Sequence, residues 1–146
     1  MTEPQFPPSS PGKIEGRIRL LVVDDHIVMR QGLSTILDPH PDIEIVAEAS
    51  DGESAVRLAR KLKPDVILMD IGMPRVNGIE ATRIIHSEMP EIRIVGLSMF
   101  EDSEVASILM EAGASACLTK SGNLDGLLAA IRGERPKDSA VNGSKT

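Results

Sequence analysis

Asp24 and Asp25 follow the apolar run IRLLVV, Asp70 closes DVILMD, Ser98 closes IRIVGLS and Lys120 follows ACLT. Each chemically useful side chain therefore stands where an apolar run stops. In an open parallel α/β sheet the carboxyl ends of the strands share one rim, and ligands bind there. Carboxylates, a hydroxyl and an ammonium gathered on one rim have the makings of a metal-assisted phosphoryl acceptor. Three carboxylates can hold a hard cation, which prefers oxygen ligands, and an ammonium can pair with phosphoryl oxygens.

That reading requires the runs to be strands of one sheet, with crossover helices between them. Apolar residues at helical spacing supply five such helices. Between His26 and Leu37 the stripe is Met29, Leu33, Ile36 and Leu37; between Glu53 and Leu62 it is Ala55, Leu58, Ala59 and Leu62. A less regular stripe, Ala81, Ile84, Ile85 and Met89, follows Gly78. The last two are Val105, Ile108, Leu109 and Ala112, then Leu124, Leu127, Leu128 and Ile131. With a further strand at IEIVAEA, the order is βα repeated five times.

Such alternation predicts a doubly wound α/β fold of the flavodoxin-like (βα)5 kind, a parallel sheet covered on both faces with right-handed crossovers. LLVV and VILM are continuous apolar runs, as befits strands buried on both sides. IEIVAEA carries two glutamates and fits an edge. The order 2-1-3-4-5 would set Asp24, Asp25 and Asp70 side by side, facing Ser98 and Lys120.

The chain has 146 residues, a net charge of −6 and 41% hydrophobic residues, enough for one core but hardly two. Its acidity argues against gripping nucleic acid by its own surface. The single cysteine, Cys117, cannot form an internal disulfide, and no apolar stretch is long enough to cross a membrane. The start carries no secretory signal, which makes the cytoplasm the expected location. Residues 1–17 hold four prolines and no periodic apolar face, and read as a disordered leader or an expression-tag remnant, since Ile14 to Arg17 spell a protease recognition sequence. Residues 18–133 form the expected domain, and residues 134–146 read as a flexible linker or tail.

DDH at 24–26, LMDIGMPRVNGIEA around Asp70, LSMFED from Leu97 and GASACLTK ending at Lys120 occur in that order. Together they resemble the receiver domain of bacterial two-component response regulators, most of all the NarL/FixJ type. The resemblance implies that Asp70 accepts a phosphoryl group from a phosphohistidine on a sensor histidine kinase or phosphotransfer protein. It implies that Asp24, Asp25, Asp70 and the carbonyl of Gly72 hold Mg²⁺, Asp24 through water. It assigns Lys120 and Ser98 to the phosphoryl oxygens. The chain would then be a phosphorelay switch rather than an enzyme with an external substrate. Its partners would include the kinase and a second copy of the chain, and DNA only through an output domain outside this sequence. Rearrangement of the loop from Ser98 to Asp102 would carry the signal toward the fourth helix.

Each residue also has a plainer reading. Asp24 and Asp25 could cap the first helix, Ser98 with Glu101 and Ser50 with Glu53 form capping boxes, Lys120 alone would be a surface lysine, and Asp70 before MP and NG a turn residue. Their coincidence on one rim favours the site. His26, His40 and His86 show no zinc or catalytic-triad spacing, and His26 is expected only to line the pocket rim. Cys117 reads as a small buried hydrophobe. It stands where many receivers carry an aromatic residue, and Ser121 stands where many carry a proline. Two other classes compete with the switch. A Mg²⁺-dependent phosphohydrolase would need an acid/base aspartate two residues past Asp70, where Gly72 stands; a degenerate docking module would not need the full set of pocket residues.

Overall fold

The structure is a computed structural model that describes residues 16–71, 78–98, 103–120 and 122–133. Five strands, β1 (Ile18–Val23), β2 (Ile43–Ala49), β3 (Val66–Asp70), β4 (Arg93–Ser98) and β5 (Ala116–Thr119), alternate with five helices. These are α1 (Ile27–Leu37), α2 (Gly52–Leu62), α3 (Gly78–Glu88), α4 (Ser103–Ala112) and α5 (Leu124–Arg132). All strands pair in parallel, in the order β2-β1-β3-β4-β5. The expected architecture and strand order are both present.

Strand periodicity sends alternate residues to opposite faces. Leu21, Val23, Ile67, Met69 and Ile94 join Ala55, Val56 and Ala59 of α2 and Ala81 and Ile85 of α3 in one core. Leu20, Val22, Val66, Leu68, Val95 and Leu97 meet Leu33 and Leu37 of α1 and Leu128 and Ile131 of α5 in the other. All five residues of β3 are buried, which is why its sequence is apolar without alternation. Edge strand β2 takes an irregularity, with Leu20 paired to Ile45 and Leu21 to Ala47, a common device for blunting an edge.

The helical stripes are not buried throughout: Ile36, Ile108 and Leu124 remain 45%, 41% and 40% exposed. Asp51, rather than Ser50, caps α2 by accepting the Ser54 amide at 2.7 Å. Asn123 caps α5 in the same way through the Gly126 amide, and Gly133 ends that helix in the left-handed region.

Two arginines near strand starts donate to carbonyls at helix ends. Arg19 donates to the carbonyls of Leu62 and Lys63 at 2.8 and 3.0 Å, and Arg93 donates to those of Ala130 and Ile131. Arg132 adds a two-pronged pair with Asp42 just before β2, at 2.8 and 3.1 Å. Two glycines allow close approach: a Cβ on Gly78 would stand 2.4 Å from the Asp70 carbonyl oxygen, and one on Gly96 would stand 2.0 Å from Leu109 Cδ2.

Candidate functional site

The parallel register carries the site residues to a common level. Val23 pairs with Met69, Asp70 with Leu97 and Ser98 with Thr119, so the next residues emerge together on the carboxyl rim. Hydrogen bonds extend the pairing beyond the strands, from the Asp24 amide to Ala49, the Ile71 amide to Leu97, and the Lys120 amide to Ser98 at 2.7 Å. These bonds fix the backbone from which the site side chains project.

Lys120 Nζ lies 3.0 Å from Asp24 Oδ2 and 3.3 Å from Asp70 Oδ2. Asp24 and Asp70 are buried, and the Lys120 side chain is only 9% exposed. Asp24 Oδ1 accepts the His26 amide at 2.8 Å and stands 3.0 Å from His26 Nδ1. That same nitrogen is 3.0 Å from Asp25 Oδ1, whose side chain is 30% exposed. Ligand atoms of Asp24, Asp25, His26 and Asp70 all lie within 4.8 Å of one another.

Burial opposes charge on Asp24, but the His26 amide and the Lys120 ammonium outweigh it and hold the carboxyl below its ordinary range. Burial likewise opposes charge on Lys120, yet the bond to Asp24 and the field of Asp70 raise its proton affinity. Both directions keep the pair ionised.

The structure thus brings together Asp24, Asp25, Asp70 and Lys120. Ser98 is half-buried at the end of β4 and joins Lys120 in lining an adjacent cavity. Gly72, Met99 to Asp102 and Ser121 lie outside the described residues, as do the Ser98–Glu101 capping box and most of the signal loop. His26 was expected only at the rim of the pocket. Its ring is 68% exposed, and Nδ1 reaches both members of the acidic pair because the N-cap position of α1 turns the chain back across Asp24. The cue was its direct adjacency to Asp24 and Asp25.

The cavity, of about 500 Å³, runs from Ser98 and Lys120 past Cys117 and Thr119 toward Leu33 of α1 and Leu127 of α5. Cys117 is half-buried on its wall rather than fully enclosed, and burial pushes its thiol's proton affinity up. A small side chain at that position leaves the space that a larger one would fill.

The geometry has close counterparts. The chain is 42% identical over 118 residues to the transcriptional regulatory protein DegU of Brevibacillus brevis, covering 81% of this chain and 50% of that protein. It is 44% identical over 130 residues to LiaR of Bacillus subtilis (strain 168), covering 86% and 62% respectively. The chain therefore spans about half to three-fifths of these curated relatives. A crystal structure of a LuxR-family two-component response regulator from Aurantimonas sp. SI85-9A1 superposes with a TM-score of 0.76 at 35% identity, covering 85% of this chain and 94% of that one. The NarL receiver domain of Mycobacterium tuberculosis gives a TM-score of 0.74 at 26% identity, with 81% and 98% coverage. The sequence pattern of the response regulator receiver domain matches residues 20–132, the span that holds both cores and the acidic rim, and the chain belongs to that family.

Proposed function

We propose that Asp70 is the phosphoacceptor of this receiver. The observation that supports it best is the placement of Lys120 Nζ within 3.3 Å of Asp70 Oδ2 and 3.0 Å of Asp24 Oδ2, inside a cluster with ligand atoms no more than 4.8 Å apart. An Asp70 carboxylate oxygen attacks the phosphorus of a phosphohistidine; the P–O bond forms, the P–N bond breaks, and the imidazole leaves with its electron pair. Such a transfer proceeds mainly through positioning and charge neutralisation.

The oxygen-rich set Asp24, Asp25 and Asp70 suits Mg²⁺, with the Gly72 carbonyl as the further ligand assigned by the family resemblance. Bound there, Mg²⁺ neutralises phosphoryl charge. Lys120 supplies a second positive charge beside Asp70, and the Ser98 hydroxyl would donate to a phosphoryl oxygen. The β1 and β3 backbones hold the carboxylates in place while the group arrives.

The role is that of a signalling switch whose chemistry is confined to its own phosphorylation and dephosphorylation. The donor is a sensor histidine kinase or phosphotransfer protein, in the cytoplasm. Transcription regulation would be exerted through a DNA-binding output region of a longer protein, a reading supported by the names of the relatives. Among the described residues, no helix is long and apolar enough to cross a membrane.

Incubation with acetyl phosphate and Mg²⁺, followed by intact mass measurement, tests the reading. The wild-type chain should gain one hydroxylamine-sensitive phosphoryl group and Asp70→Asn none. An unmodified wild type, or a labelled Asp70→Asn, would overturn it.

A further inference from the structure

We propose that the cavity at the carboxyl end of β4 and β5 binds a small uncharged aromatic molecule carrying one hydroxyl or amide group. The site does not depend on phosphorylation of Asp70, because its apolar part is built by α1, α5 and the strands beneath them.

The walls define the ligand. Leu97 and Leu118 are register partners and form an apolar rung, while Ser98 and Thr119 form the next rung toward the rim; both rungs line the cavity. Met29 and Leu33 of α1 and Leu127 of α5 extend the apolar part. The volume of about 500 Å³ falls within the roughly 300–1,000 Å³ typical of small-molecule sites. One end is thus apolar and the other offers hydroxyls, an arrangement that selects an amphiphile. Two sulfur-bearing side chains, Met29 and Cys117, stand on the walls, and sulfur makes favourable contacts with aromatic rings.

Charge narrows the class further. Lys120, the cation among the described lining residues, is already shared by Asp24 and Asp70 at 3.0 and 3.3 Å. An anionic head would therefore meet two carboxylates behind that ammonium, and a cationic head would meet the ammonium itself. Gly126 gives an independent sign that the space is kept open. Glycine weakens a helix, yet Gly126 sits in the first turns of α5 without a left-handed backbone that would call for it. An added Cβ there would approach only the capping oxygen of Asn123, at 3.2 Å. A longer side chain would instead occupy the mouth of the cavity that Gly126 lines.

The test titrates the full chain with 2-naphthol in buffer free of metal and phosphodonor. The chain has neither tryptophan nor tyrosine, so the emission of the probe is read without interference. It should shift to the blue and saturate at one equivalent, and amide NMR shifts should centre on Met29, Leu118, Thr119 and Leu127. Naphthalene-2-sulfonate, the same rings with an anionic head, should bind about tenfold more weakly or worse. Gly126→Met, which improves helix propensity and so keeps α5 folded, should weaken 2-naphthol by a similar factor. Circular dichroism of the variant confirms that its fold is intact. The proposal is overturned if wild-type binding does not saturate, if the shifted amides lie elsewhere, if the sulfonate binds as tightly as the naphthol, or if folded Gly126→Met binds the naphthol as the wild type does.

Discussion

Lys120 lies closer to Asp24 than to Asp70, 3.0 Å against 3.3 Å. The ammonium thus serves two buried carboxylates at once, and its removal would leave them facing each other. Breaking a buried pair from one side typically costs about 3 kcal/mol or somewhat more. Lys120→Met should lower unfolding stability by about 3 kcal/mol at pH 7 in metal-free buffer. Mg²⁺ should restore more stability to the variant than it adds to the wild type. Urea unfolding with and without Mg²⁺ checks both effects, and a variant as stable as wild type would refute the pairing.

The same pair gives stability a pH signature at each end. Asp24 holds its proton less tightly when folded, so its contribution is present above the ordinary carboxylate value near pH 4 and is lost as pH falls through its lower folded value. Lys120 holds its proton more tightly when folded, so its share is present below the ordinary lysine range and is lost as pH rises past its raised value. Asp24→Asn should therefore flatten the acid limb of a stability–pH curve. Superimposable acid limbs for variant and wild type would contradict this assignment.

Gly78 and Gly96 distinguish local preference from packing. Alanine is the better helix former by about 1 kcal/mol, so propensity alone makes Gly78→Ala stabilising. Its Cβ, however, would stand 2.4 Å from the Asp70 carbonyl and 2.7 Å from Ile71 Cα, backbone atoms that cannot turn aside. The variant should lose stability overall, and its phosphorylation by acetyl phosphate should slow as Asp70 is displaced. Gly96→Ala meets a side chain instead, Leu109 Cδ2. It should cost about 2 kcal/mol as an overpacked core, and combining it with Leu109→Ala should cost less than the two single losses added together.

Arg93→Met tests the clamp on α5. The side chain is half-buried, and burial weakens its proton affinity although Asp65 opposes that effect. Replacing it removes the guanidinium donor from the Ile131 carbonyl and from that of Ala130, which keeps the Gly133 amide, a loss of about 2 kcal/mol on the scale of unmade buried hydrogen bonds. Amide exchange should accelerate in α5 more than in α2. Equal protection of α5 in variant and wild type would count against the clamp.

The fold was legible because its strands differ in kind. Continuous VILM marks a centre, glutamate-bearing IEIVAEA marks an edge, and the apolar stripes between them mark helices. The site was legible because Asp24, Asp25, Asp70, Ser98 and Lys120 terminate strands, and a parallel sheet has only one carboxyl rim. Position along a helix was harder to read: Ile36 and Ile108 share their stripes but not their burial, because stripe spacing does not say where the neighbouring element ends. The capping residue of α2 moved from Ser50 to Asp51 because two good capping residues adjoin and the tertiary turn selects between them. Arg19 and Arg93 were missed since a charged residue opening a strand ordinarily points to solvent. The contact of His26 Nδ1 with Asp24 and Asp25 was not legible because a single turn creates it.

The clamps on α5 also decide at which pole of the sheet that helix ends. Arg93 opens β4 and Asp42 precedes β2, so both hold the last turn of α5 at the amino edge of the sheet, whereas Asp70 sits at the carboxyl edge. A strand of this length separates the two poles by roughly 17 Å. Gly133, where α5 ends, therefore stands at the pole opposite the chemistry. What happens at Asp70 can affect that end of α5 only through the intervening body, as a change in its shape or grip.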